Sequence, residues 1–287
     1  MTASSNWRQF QLYVITAENN HPERSLLEVM EQTLIGGADI LQLRNKTGTR
    51  ETVLEQAKQL RLLTKKYNVP FIVNDYVDIA LEVDADGVHL GQEDTSIEQA
   101  RALLGPNKII GISTHNIKQA IEAQRAGADY IGVGPVFPTD TKPGRAAVTT
   151  SYITEASNQV SIPFVAIGGI TLQNIDQVLA AGALRICAVS AVVGDNDPAQ
   201  MCKLLRERIE FAQKSSSIIS SAKEITLNGQ KHTTTANNIA LLIEQLGQSS
   251  KRLVLELDGA VVQRSLWSDT ELSNGAKIEL IQFVGGG

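Results

Sequence analysis

Between residue 11 and about residue 211, short runs that are almost continuously apolar alternate with segments of helical apolar spacing. A strand apolar at successive positions is buried on both faces, as in a parallel sheet covered by helices. This feature constrains the chain more than any other. Eight such runs can be read: 11–16, 40–44, 71–75, 87–91, 109–114, 130–136, 164–169 and 185–192. Among the intervening segments, 117–126 and 172–181 carry helical spacing, the second opened by Thr171 as N-cap and closed by Gly182. Eight strand-helix units predict an α/β fold, a (β/α)8 TIM barrel. A doubly wound sheet is the alternative, because strand order cannot be read from one sequence.

Beyond the barrel, Ser-rich residues 214–222 read as a linker, dividing the chain into 1–213 and 223–287. In the second unit, 224–227 and 231–235 flank Asn228-Gly229, the signal of a type I′ hairpin. A helical segment over 237–246, ended by Gly247, precedes strand-like runs at 253–257 and 277–284. The order β-β-α-β-β predicts a small α+β domain, a sheet curled over one helix in a β-grasp, ubiquitin-like arrangement.

The 26 Lys and Arg against 31 Asp and Glu leave a net charge of −5, so no global positive field would draw in nucleic acid or an anionic membrane. Anionic ligands need local sites. The two cysteines, Cys187 and Cys202, are too few for a disulfide framework and lack metal-ligand spacing. With no apolar run of membrane-spanning length and no signal-peptide pattern at the start, the expectation is a cytoplasmic protein.

The barrel's strand ends concentrate chemistry. In Leu41-Gln42-Leu43-Arg44-Asn45-Lys46, alternation puts Gln42, Arg44 and Lys46 on one face. Two cations and an amide there form a grip for phosphate or pyrophosphate; the alternative is a structural ion pair. Asn74-Asp75 and Gly91-Gln92-Glu93-Asp94 bring two carboxylates to neighbouring strand ends, a hard-oxygen site suited to Mg²⁺ held partly by ligand phosphates. For Asp94 the alternative is helix capping. His89 points inward and reads as a neutral, hydrogen-bonded core histidine. The loop 134–144 carries Thr139, Thr141 and Lys142, while Gly168-Gly169 and Val189-Ser190 end strands seven and eight, where barrels bind phosphate monoesters. A plain turn is the alternative for the glycine pair.

Two anion sites, one with a metal, imply the joining of two phosphorylated substrates. Gln42-Leu43-Arg44-Asn45-Lys46, Asn74-Asp75, Gly87-Val88-His89-Leu90-Gly91-Gln92-Glu93-Asp94, Gly134-Pro135-Val136-Phe137-Pro138-Thr139-Asp140-Thr141-Lys142 and Ala166-Ile167-Gly168-Gly169-Ile170 together closely resemble thiamine phosphate synthase. Residues 223–287 resemble the sulfur carrier protein of thiamine biosynthesis, through Glu244-Gln245-Leu246-Gly247, Val262-Gln263-Arg264-Ser265-Leu266-Trp267 and the Gly-Gly end. The chain thus resembles a fusion of the two.

The synthase resemblance implies coupling of hydroxymethylpyrimidine pyrophosphate to thiazole phosphate. Mg²⁺ on Asp75 and Asp94, with Arg44, Lys46 and Lys142, would stabilise the departing pyrophosphate. Gln42 and Asn74 would position the pyrimidine substrate, and Ser113 would donate a hydrogen bond to it or to the leaving oxygen. Thr139, Thr141, Gly169, Val189 and Ser190 would hold the thiazole phosphate. The carrier resemblance implies that an adenylating enzyme activates the Gly286-Gly287 terminus as a thiocarboxylate, which a thiazole synthase consumes. One departure is Gly182-Ala183-Leu184-Arg185 before strand eight, where the family commonly shows Gly-Ala-Asp-Gly. The competing readings are a thiazole tautomerase-like isomerase, which needs neither pyrophosphate grip nor metal, and a degenerate barrel serving as a carrier or interaction scaffold.

Overall fold

The computed structural model describes residues 7–17, 23–139, 147–248 and 253–282, with the backbone alone for 216–221. They divide into two compact units, Met1–Ala212 and Gln213–Gly287.

The first unit is a closed parallel barrel in sequential order. Its strands are β1 (Leu12–Ile15), β2 (Ile40–Leu43), β3 (Phe71–Asn74), β4 (Gly87–Leu90), β5 (Ile109–Thr114), β6 (Tyr130–Val133), β7 (Phe164–Ile167) and β8 (Ile186–Ala188). The covering helices are α1 (Leu26–Ile35), α2 (Arg50–Tyr67), α3 (Val77–Glu82), α4 (Ile97–Leu104), α5 (Ile117–Arg125), α6 (Thr149–Gln159), α7 (Ile175–Ala180), α8 (Ser190–Val193) and α9 (Pro198–Ser221). The doubly wound alternative is excluded by the β1–β8 pairing that closes the ring.

Alternation sorts the strand residues into two cores. Leu41, Leu43, Phe71, Val73, Val88 and Leu90 pack outward against the helices, where truncating a leucine to alanine costs about 2–5 kcal/mol. Tyr13, Ile40, Ile72, Ile109, Tyr130, Val165 and Cys187 fill the barrel interior. Gly111 makes this possible, since a Cβ there would lie 2.1 Å from the Tyr130 ring.

Three local expectations are corrected. The seventh helix begins at Ile175 rather than 172: Thr171 caps the turn that leads into it, its Oγ1 accepting from the Gln173 N–H at 3.3 Å and its N–H donating to Asn174 Oδ1 at 2.8 Å, while Asn174 itself makes no side-chain cap bond. Strand eight stops at Ala188 rather than 192, because the chain turns at Val189 into α8. The Ser-rich stretch 214–222 is helical as far as Ser221, a continuation of α9. Serine is only mildly unfavourable inside a helix, and no glycine or proline interrupts this one.

The second unit has β9 (Lys223–Leu227), β10 (Gln230–Thr234), α10 (Ile239–Gln245), β11 (Leu253–Leu257), β12 (Ala260–Val262) and β13 (Lys277–Gln282). Its sheet order is β10-β9-β13-β11-β12, with β13 parallel to β9 and the other pairs antiparallel. Ile225, Ile239, Leu242, Ile243, Leu255, Trp267 and Ile278 close its core. The hairpin at Asn228-Gly229 has φ values of 48° and 80°, as type I′ geometry requires. Strand β12 is additional to the order expected from sequence. Its signal lies in Asp258-Gly259, which also has positive φ at both residues and reverses β11 into β12.

Candidate active site

At the carboxyl ends of the barrel strands, a cleft is lined by Gln42, Arg44, Asn74, His89, Ser113, His115, Thr139, Gly169, Val189 and Ser190, with apolar walls from Ile15, Ile167 and Cys187. A second, more open pocket holds Lys46, Asp75, Gly91, Gln92, Glu93 and Asp94. Arg44, Asn74 and Ser113 line both, so the two pockets adjoin.

Each polar group is held by local structure. Gln42, 1% exposed, donates from Nε2 to Asn74 Oδ1 at 3.1 Å, joining the ends of β2 and β3. The Arg44 backbone is clamped by Thr16, whose Oγ1 accepts from the Arg44 N–H at 2.8 Å and donates to its carbonyl at 3.0 Å. Arg44 Nε is buried and without a hydrogen-bond partner among the described residues. A buried donor left unpaired is costly, and an anion in the cleft would satisfy it. The structural ion-pair alternative therefore does not describe Arg44.

Lys46 is held at the same strand ends, its Nζ paired with Asp75 Oδ2. Asn45 Oδ1 accepts from the backbone N–H groups of Thr47 and Gly48, forming the turn that carries Lys46 over the strand ends. Asp75 sits at φ 65°, a left-handed conformation that Asp and Asn tolerate best among residues with side chains, and its N–H donates to His89 O at 2.9 Å. Asp94 belongs to this corner and not to the following helix, which Ser96 caps with Gln99 in a reciprocal box. The Gly91 N–H donates to Asp94 Oδ2 at 2.6 Å, and a Cβ at Gly91 would lie 2.7 Å from that oxygen, so glycine lets the carboxylate close on the backbone. Burial pushes the Asp75 carboxyl above the usual carboxylate range; Lys46 pulls it down and the neighbouring Asp94 pushes it further up. Asp75 is thus close enough to Asp94 for each carboxylate to feel the other, with Lys46 paired to Asp75.

On the opposite side, Gly168 and Gly169 have φ of 103° and 63°. Their close approach is to the chain itself: added Cβ atoms would meet Pro135 Cα at 2.5 Å and Pro138 O at 2.6 Å. The Val136 and Phe137 N–H groups donate to Ile167 O and Gly168 O, which ties the loop after β6 to the end of β7 and sets Thr139 at the cleft. Thr141, Lys142, Gly286 and Gly287 lie outside the described residues. Two residues go beyond the set expected from sequence: His115 at the cleft, whose Nδ1 is 2.5 Å from Gly134 O, and Gln92 at the corner, whose Nε2 donates to Ser113 O at 2.7 Å. Alternation along β5 points past Ser113 to position 115, a signal that could have found the histidine.

The departure at Leu184-Arg185 affects the other end of β8. Arg185 donates to Arg8 O at 2.9 Å and lies over the Phe10 ring, away from the cleft.

A closed (β/α)8 barrel with a polar cleft at its carboxyl strand ends and an adjoining acidic corner has the architecture of a small-molecule enzyme. The comparisons specify the family. Residues 12–192 match the model described as thiamine monophosphate synthase, and 222–287 match the ThiS family. A thiamine-phosphate synthase from Halalkalibacterium halodurans is 53% identical over 204 residues, 71% of this chain and 97% of that protein. One from Shouchella clausii is 50% identical over 208 residues, 72% of this chain and all of that protein. The solved thiamine phosphate pyrophosphorylase from Pyrococcus furiosus is 41% identical with a TM-score of 0.65, covering 72% of this chain and 98% of that one. The chain belongs to the thiamine monophosphate synthase family, its barrel is a transferase of that class, and it carries a C-terminal ThiS-family sulfur carrier domain. No helix among the described residues is long and apolar enough to cross a membrane.

Proposed function

We propose that the barrel joins hydroxymethylpyrimidine pyrophosphate to thiazole phosphate, releasing pyrophosphate and forming thiamine phosphate. One observation carries this reading: the cleft with its apolar walls and the charged corner share Arg44, Asn74 and Ser113. A single substrate can then lie across both, its ring in the cleft and its pyrophosphate in the corner.

Mg²⁺ suits the corner by donor chemistry. Asp75 and Asp94 offer hard oxygens, and no group of three or more His, Cys, Asp or Glu among the described residues could hold a metal by itself. The remaining positions would fall to water and substrate oxygens, the usual arrangement for this ion. When bound, the ion supplies charge that stabilises pyrophosphate as a leaving group.

The protein's own groups do the rest. Arg44 and Lys46, with Lys142 from the loop after β6, neutralise charge as the carbon–oxygen bond to pyrophosphate breaks. Gln42 and Asn74, already hydrogen-bonded to each other, orient the pyrimidine. Thr139, Thr141, Gly169, Val189 and Ser190 hold the thiazole phosphate so that the thiazole nitrogen faces the cationic carbon left behind. No nucleophilic side chain is needed. A tautomerase would have no use for Arg44, Lys46, Asp75 and Asp94 in this grouping.

For the second unit, the reading is sulfur carriage as a Gly287 thiocarboxylate, formed after adenylation by a partner enzyme and consumed by a thiazole synthase. It is supported by the ThiS-family match through residue 287. The functional division is 1–213 for the synthase and 223–287 for the carrier, with 214–222 joining them. Incubating the purified chain with both phosphorylated substrates and Mg²⁺ tests the main reading. Thiamine phosphate should appear in step with pyrophosphate, and failure to form it under saturating conditions overturns the assignment.

A further inference from the structure

The barrel interior carries a line of three polar groups, leading to Ser113, that the mechanism above leaves unexplained. Tyr13 Oη lies 2.8 Å from Tyr130 Oη, which lies 2.9 Å from His89 Nδ1, and His89 Nε2 lies 2.9 Å from Ser113 Oγ at the cleft. Gly111 opens the space for it, since a Cβ there would lie 2.1 Å from the Tyr130 ring. We propose that the buried Tyr13–Tyr130 pair fixes His89 as the Nε2–H tautomer, and that His89 thereby positions Ser113 as a hydrogen-bond donor to the pyrimidine substrate. The substrate clause rests on the synthase reading; the tautomer does not.

The hydroxyl of Tyr13, a residue only 1% exposed, has Tyr130 as its hydrogen-bond partner among the described residues. Burial raises both phenols above their ordinary titration range, so each keeps its proton at neutral pH. If Tyr13 donates to Tyr130, Tyr130 must donate onward to His89 Nδ1. The imidazole proton then sits on Nε2 and is given to Ser113 Oγ, whose own O–H is left to point into the cleft. Every buried proton has an acceptor.

The opposite polarity, with His89 Nδ1–H donating to Tyr130 and Tyr130 donating to Tyr13, strands the Tyr13 proton in an apolar interior. So does an imidazolium, which donates to Tyr130 in the same way. An unsatisfied buried donor is the costlier state. No proton moves along the line during turnover; its role is to set which atom of Ser113 is free.

Two measurements on the full chain test this. In ¹⁵N-histidine spectra of the wild type at neutral pH, with signals assigned by comparison with His89→Gln, His89 should show a pyrrole-type Nε2 and a pyridine-type Nδ1. Tyr13→Phe should leave that pattern intact, because Tyr130 then has only His89 as acceptor; under the opposite polarity it removes the acceptor of Tyr130. A protonated Nδ1 in the wild type, or loss of the pattern in Tyr13→Phe, overturns the proposal. The second measurement is a double-mutant cycle on coupling. Ser113→Ala and His89→Gln should each lower kcat by about tenfold to a hundredfold, as expected for one lost hydrogen bond in a buried site, and the double variant should lose no more than Ser113→Ala alone. Additive losses overturn the positioning role. If the wild type does not couple the substrates at all, the synthase reading fails while the tautomer result remains readable.

Discussion

Replacing Asp75 by asparagine separates the catalytic use of this carboxylate from its structural cost. The backbone at 75 has φ 65°, which asparagine adopts as readily as aspartate, and the two side chains are nearly isosteric, so the turn after β3 is kept. In the metal-free protein the Asp75 carboxyl titrates above its ordinary range, because burial and Asp94 outweigh Lys46. The sign follows from linkage: a raised folded-state value gives a contribution that is complete below the ordinary carboxylate pKa and is lost as pH rises through the folded one. At neutral pH the ionised form is thus a net cost to folding. Asp75→Asn should leave Tm unchanged or slightly higher at pH 7, within roughly 2 °C for an effect of about 0.5 kcal/mol, with the gap over wild type closing as pH falls. Activity should move the other way. Losing one oxygen of a two-carboxylate corner, and with it the means of stabilising a departing pyrophosphate, should lower coupling by roughly a hundredfold to a thousandfold. Pyrophosphate release at saturating substrates, titrated with Mg²⁺, reads the loss, and thermal melts in chelator read the stability. Wild-type rates in the variant, or full activity of the stripped wild type in chelator, would refute the reasoning.

Arg44→Ala should weaken use of the pyrophosphorylated substrate at least tenfold while sparing the fold, since the Arg44 Nε has no hydrogen-bond partner among the described residues; steady-state kinetics with each substrate varied in turn would show it. Gly91→Ala would put a Cβ 2.7 Å from Asp94 Oδ2 and displace that carboxylate, so the Mg²⁺ concentration for half-maximal coupling should rise with little change in Tm. Gly168→Ala combines φ 103° with a 2.5 Å approach to Pro135 and should cost about 1–3 kcal/mol, read as a lower denaturation midpoint. Incubation with a competent adenylating enzyme, ATP and a sulfur donor should exchange one terminal oxygen for sulfur by intact mass, and deleting Gly286 and Gly287 should abolish this while leaving coupling unchanged.

What can be read in the sequence follows from which forces act locally. Period-two alternation is fixed by strand geometry, so the inward set Gln42, Arg44, His89 and Ser113 and the outward set Leu41 and Leu43 are legible from residue order alone. Strand ends are less legible: β8 gives way at Val189 to a short helix although Val192 and Val193 are as apolar as strand residues, because those two valines pack into the helix-covered core from a helical turn. Thr171 is legible as a cap and does bond the Gln173 N–H, but the turn it opens becomes regular helix only at Ile175, a bound that residue order does not give. The acidic corner shows the same division. Spacing places Asp75 and Asp94 at adjacent strand ends, but that Lys46 turns back onto Asp75 depends on the Asn45 turn. For His89 the sequence supplies direction. Its tautomer depends on Tyr13 and Tyr130, which are distant in the chain, and on whether the last phenol in the line has anywhere else to place its proton. That question concerns the closed barrel as a whole, because β1 and β6 reach His89 only across the interior that all eight strands enclose.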